Sequence, residues 1–144
     1  MAELTLSRHY AASPEKVFAA VTQPEFLLQW WGPEGLRVEA DSLDFTRLGP
    51  WGSVMINDEG TRYKVTGHVT HVDPPRSVGF TWAWHDDTDQ HGQESHVTFT
   101  VEPDGSGGAH FRLSHVDLAD EDSTINHSTG WSSSLNKLDA VFAS

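Results

Sequence analysis

Between Leu36 and Val116 the chain repeats one pattern, short runs of β-branched and aromatic residues interrupted by clusters of turn formers. The interruptions fall at Gly49-Pro50, Asn57 to Gly60, Asp73-Pro74-Pro75, Asp86 to Gly92 and Pro103 to Gly108. Gly and Pro impose backbone geometries that end a strand, so these breaks leave room for about six strands. Sequential strands joined by tight turns pair as antiparallel neighbours. The centre of the chain is therefore an antiparallel meander, and whatever flanks it must pack on it. Side chains alternate across a strand, which places Phe80, Trp82 and Trp84 on one face, as it does Val97, Phe99 and Val101, and Phe111, Leu113 and His115. Tyr63, Val65 and Val69 join that face, whereas Val72 falls out of phase and implies either a bulge or a change of face before it.

The flanks supply a further strand and the helices. Leu4 to Tyr10 begins with an alternation that suits a strand with one buried face. Ser13 then caps a helix, Pro14 fills its first position, and Glu15 places an acid in its first turn. Val17, Phe18 and Val21 give that helix an apolar face, Thr22-Gln23-Pro24 ends it, and Phe26, Leu27 and Trp30 begin a second short one. Trp30-Trp31-Gly32-Pro33-Glu34-Gly35 makes a rigid elbow. After Asp120, Glu121 and Asp122, Ser123 is the expected cap of a long C-terminal helix whose inner stripe is His127, Trp131, Leu135, Leu138 and Phe142. Residues 1–144 read as one α+β domain, a curved antiparallel sheet of about seven strands with the last helix laid over it.

Composition excludes several functions. The formal net charge of −12 repels phosphate backbones and anionic head groups, so neither nucleic acid nor a membrane is an expected partner. No stretch approaches the roughly 20 apolar residues of a membrane helix. The absence of cysteine rules out disulfides, thiolate metal sites and a cysteine nucleophile, and it fits the cytoplasm.

Three ordered blocks carry a resemblance: ASPEKVFAAVTQPEFLLQWWGPEG, VTHVDPPRSVGFTW and GWSSSLNKLDAVFA. Together they resemble the AHSA family, named for the C-terminal domain of the heat-shock-protein ATPase activator, within the START-like superfamily. The resemblance implies a helix-grip fold of a strand, two helices, six strands and a long final helix. It assigns Trp30, Trp31, Gly32, Pro33 and Gly35 to an elbow, Pro74 and Pro75 to a turn, and Gly130, Trp131, Leu135 and Leu138 to the last helix. Superfamily members include lipid carriers, cyclases and co-chaperone domains, so the fold alone does not name an activity.

A helix over a curved sheet leaves an apolar cleft, the usual form of a small-molecule site. The residues expected to line it are Tyr63, Val65, Phe80, Trp82, Val97, Phe99, Leu113, His115, Trp131 and Leu135, with Tyr63 and His115 as its polar groups. The preferred reading is binding of a small hydrophobic or aromatic ligand. A cyclase, dehydratase or hydrolase using His115 or Tyr63 for proton transfer is the alternative, and a chaperone-binding module a third. The nine histidines show no compact ligand spacing, the loop His85 to Gly92 does not follow a calcium loop, and Gly105 to Gly108 opens no helix, so neither metal nor cofactor is expected. Exposed elbow tryptophans would provide a surface for a homodimer.

Overall fold

The computed structural model describes residues 2–86 and 88–142. Met1, Ala143, Ser144 and the loop residue Asp87 lie outside them. The element order is β1 (Ala2–Tyr10), α1 (Pro14–Ala20), α2 (Pro24–Leu27), β2 (Arg37–Ser42), β3 (Gly49–Ile56), β4 (Arg62–Asp73), β5 (Ser77–Trp84), β6 (Ser95–Pro103), β7 (Ala109–Leu118) and α3 (Glu121–Val141). The seven strands form one sheet in the order β1-β7-β6-β5-β4-β3-β2, and every neighbouring pair is antiparallel. Strands β2 to β7 are the meander read from the turn signals. β1 and β2 lie at opposite edges, so the α1–α2 segment carries the chain from one edge to the other, with α1 packed on β6 and β7.

Local chemistry explains the element ends. Ser13 Oγ accepts from Lys16 N at 3.2 Å, which satisfies one of the free donors at the start of α1. At α3 the cap is Asp120 and not Ser123: Asp120 Oδ1 accepts from Ser123 N at 2.8 Å. The carboxylate three residues back reaches that amide, and it also places negative charge at the positive end of the helix. The Gly49-Pro50 pair opens β3 and does not form a turn. Pro50 lies beyond the last β2–β3 pair, Ser42 with Gly52, where a missing N–H costs no ladder bond on that side. Of the two alternatives at Val72 the structure has the irregularity in pairing, with the β4–β5 register shifting between Val69 and His71.

The elbow faces inward. Trp30 is fully buried and Trp31 is 2% exposed, so the pair forms no surface patch and the basis for a dimer through it is removed. Gly32 permits the bend, at φ +86°, and an added Cβ there would press on Met55 and Val38. Trp31 is ringed by Phe45, Trp51, Trp82 and Trp131, with centroids 5.6 to 5.9 Å away and mostly edge-to-face, the arrangement aromatic quadrupoles favour. Phe45, from the β2–β3 connection, stacks on Phe80 at 4.2 Å and closes the centre of the sheet.

Candidate functional site

A cavity of about 730 Å³ opens between the elbow, the β3–β4 hairpin, β5 and the first half of α3. The elbow contributes Trp31 to Glu34 and Leu36; the hairpin contributes Met55, Asn57 and Tyr63; and β5 contributes Trp82 and Trp84. The N-terminal half of α3 and its cap supply Asp120, Asp122, Ser123, Asn126, His127, Gly130, Trp131 and Ser134. Helical spacing sets His127, Gly130, Trp131 and Ser134 on one face of α3, and strand alternation puts Trp82 and Trp84 on the opposing wall.

Two histidines tie these walls together. An indole N–H only donates, so Trp131 Nε1, 3.1 Å from His115 Nδ1, makes that nitrogen an acceptor. The imidazole proton then lies on Nε2 and is donated to Ser95 Oγ at 2.7 Å, while Ser95 Oγ donates to the Trp82 carbonyl at 3.3 Å. His127 repeats the logic: Trp84 Nε1 donates to its Nε2 at 2.9 Å, and its Nδ1 donates to the Ser123 carbonyl at 2.7 Å. The two rings stand 4.9 Å apart, edge to face. Burial pushes His115 down to about 3, with the neighbouring His127 and His96 adding to the effect. Burial lowers His127 as well, opposed by its bond to the Ser123 carbonyl. Both imidazoles are therefore neutral near pH 7, with every ring nitrogen engaged.

Of the residues named from sequence, Tyr63, Trp82 and Trp131 stand on the cavity wall. Val65, Phe80, Val97, Phe99, Leu113 and Leu135 do not; all are fully buried in the core behind it. Trp31, from the elbow before the meander, and Phe45, from the β2–β3 connection, pack into the space those side chains were expected to face. His115 is also off the wall and fully buried, a link between β6, β7 and α3 and not a group free to take a substrate proton. Tyr63 is 42% exposed at the mouth, with Asn57 Nδ2 donating to its hydroxyl at 3.5 Å. Sequence reasoning missed Trp31, treated as architecture, and Met55, Glu34 and Asp122. Trp84 and His127 carried a usable signal, since one shares the face of Trp82 and the other heads the inner stripe of α3. Among the described residues no three His, Asp or Glu side chains converge as metal ligands, and no helix is long and apolar enough to cross a membrane.

A sheet grasping one long helix, with a cavity at the helix's N-terminal half, defines the START-like helix-grip class. The family model described as "Activator of Hsp90 ATPase homolog 1-like protein" matches residues 11–143, and the chain belongs to that family. Its fold is similar to the crystal structure of an AHSA1 protein from Silicibacter pomeroyi, with 59% identity, TM-score 0.94, and coverage of 99% of this chain and 98% of that one. A Chromobacterium violaceum protein shares the fold at 24% identity and TM-score 0.83, covering 97% and 96% of the two chains. An Arthrobacter aurescens protein does so at 19% identity and TM-score 0.85, covering 98% and 86%. None of the curated proteins matches the sequence.

Proposed function

We propose that the chain binds a small apolar or aromatic molecule in the cavity between α3, the elbow and β3 to β5. The observation that carries this reading is the cavity itself. Its volume of about 730 Å³ falls within the roughly 300–1,000 Å³ typical of small-molecule sites, and aromatic rings with a few polar groups form its walls. Tyr63, Trp82 and Trp131 are proposed contacts, with Trp84 and Met55 beside them. Val65, Phe80, Val97, Phe99, Leu113 and Leu135 hold those contacts in place from behind. Carriage suits the site better than turnover, because both histidines next to it already use both ring nitrogens within the protein.

Gly130 provides the test. It lines the cavity from within α3, and a Cβ added there would meet only Pro33 Cγ, at 3.7 Å. A Gly130→Phe variant should therefore fill the cavity without a backbone clash. The wild type should bind the neutral dye Nile red and show a raised Tm with apolar metabolites, by mass action on the native state. The variant should fold and do neither. Equal dye affinity in the two proteins would refute the site. Absence of any small-molecule response would bring forward a chaperone partner, which the family's description suggests.

A further inference from the structure

The cavity is divided by polarity. The lining residues most sealed from solvent are apolar, with Trp31, Met55, Trp82 and Trp131 each at most 5% exposed, and Ser134 Oγ beside them is spent on the Gly130 carbonyl at 3.1 Å. The exposed lining residues are Glu34, Tyr63, Asp120, Asp122 and Asn126; they form the mouth, and three of the five are carboxylates. None of the nine Lys and Arg side chains lines the cavity. Among the described residues no ion pair engages Glu34, Asp120 or Asp122. Lys137 is close enough to Glu34 to feel its charge, but it stands off the wall and gives its ammonium to the Trp31 carbonyl at 3.3 Å. His127 adds no positive charge, since it is neutral near pH 7 with both ring nitrogens engaged.

That division fits an amphiphile held in one orientation. An apolar body gains by leaving water for the aromatic interior, while a charged head group that keeps its hydration stays at the mouth. There it meets three negative charges. The amide end of α3 contributes roughly half a unit of positive charge, but Asp120 caps it and Glu121 and Asp122 lie in its first turn, so the mouth stays negative. Exposed ion pairs are individually weak, yet several carboxylates acting on one cation add, and a carboxylate or phosphate in the same place is repelled. We propose that the cavity takes cationic amphiphiles, amines with an apolar or aromatic body, the body inside and the ammonium at the mouth beside Glu34 and Asp122. Neutral compounds with the same body bind less well, and acids least. This selection rests on reading the cavity as the ligand site.

Three naphthalenes with one body and different head groups test it on the full chain at pH 7: 2-naphthylmethylamine, 2-naphthylmethanol and 2-naphthoate. Calorimetry measures each affinity at about 20 mM and about 500 mM NaCl, on either side of the salt at which the Debye length is about 10 Å. At low salt the amine should bind about tenfold more tightly than the alcohol, as two or three exposed ion pairs allow, and the acid more weakly than the alcohol. High salt should draw the three affinities together. A net charge of −12 attracts any cation, so substitutions locate the effect. Glu34→Gln with Asp122→Asn, at exposed positions that spare the Asp120 cap, should bring the amine to within about threefold of the alcohol and leave the alcohol unchanged. Glu15→Gln with Glu102→Gln removes two exposed carboxylates off the cavity and should preserve the tenfold preference. Equal affinity of amine and alcohol, acid binding as tight as the amine, or a tenfold preference that survives Glu34→Gln with Asp122→Asn would overturn the proposal. If Nile red binds and no naphthalene does, the selection fails while the cavity reading stands. If Nile red also fails, both fall.

Discussion

Sealing a histidine in the core links stability to pH, and His115 permits the size of that link to be worked out. Its folded pKa is lowered from 6.5 to about 3, chiefly by burial. Because the folded value is depressed, the unfolded chain binds the extra proton. Stability is therefore intact above about pH 6.5 and falls as pH drops toward 3, the window in which only the unfolded state is protonated. The slope is about 1.4 kcal/mol per pH unit. Between pH 7 and 4.5 the loss from His115 alone comes to about 2.5 kcal/mol, a sizeable part of the 5–15 kcal/mol of a typical domain. Many carboxylates titrate in the same range, so the wild type is best compared with His115→Gln, whose amide reaches toward Ser95 and does not titrate. At pH 7 the variant should be less stable by about 1–3 kcal/mol, because Trp131 Nε1 loses its acceptor. Urea unfolding followed by tryptophan fluorescence at each pH yields both stabilities. The wild-type advantage should shrink by about 2.5 kcal/mol on going from pH 7 to 4.5. A difference that stays constant with pH would refute the claim that His115 is neutral and sealed.

Other substitutions probe the rest of the scaffold. Asp120→Ala removes the cap of α3 and should lower stability by about 1 kcal/mol in thermal unfolding, with Ser123→Ala having the smaller effect. Gly67→Ala would set a Cβ only 2.0 Å from the Thr81 carbonyl oxygen, under the Trp51 indole, and should cost about 3 kcal/mol in urea unfolding. Gly130→Ala, in contrast, should stabilise by about 0.5–1 kcal/mol, since the site is helical, the new methyl has room, and glycine is the poorer helix former.

Much of the architecture was legible in the chain because its signals are local. Turn residues between apolar runs marked the meander, Ser13-Pro14-Glu15 marked the start of α1, and the phase break at Val72 marked the irregularity in β4. Strand alternation correctly put Phe80, Val97, Phe99, Phe111, Leu113 and His115 on the buried face. Which of them border empty space was not legible, because alternation reports a side chain's direction and not what occupies the volume opposite it. Trp31 and Phe45 come from connections with no period to read, and their packing fills the centre and displaces the cavity toward α3 and the β3–β4 hairpin. The donor and acceptor roles of His115 and His127 likewise depend on partners up to 43 residues away, as between Trp84 and His127. The sequence by itself determined the order of elements, the antiparallel sheet and the buried faces, since these follow from short-range backbone preference and periodicity. Only the tertiary structure decided where the cavity lies and which histidines are spent holding the walls, since each depends on groups far apart in the chain meeting across the fold.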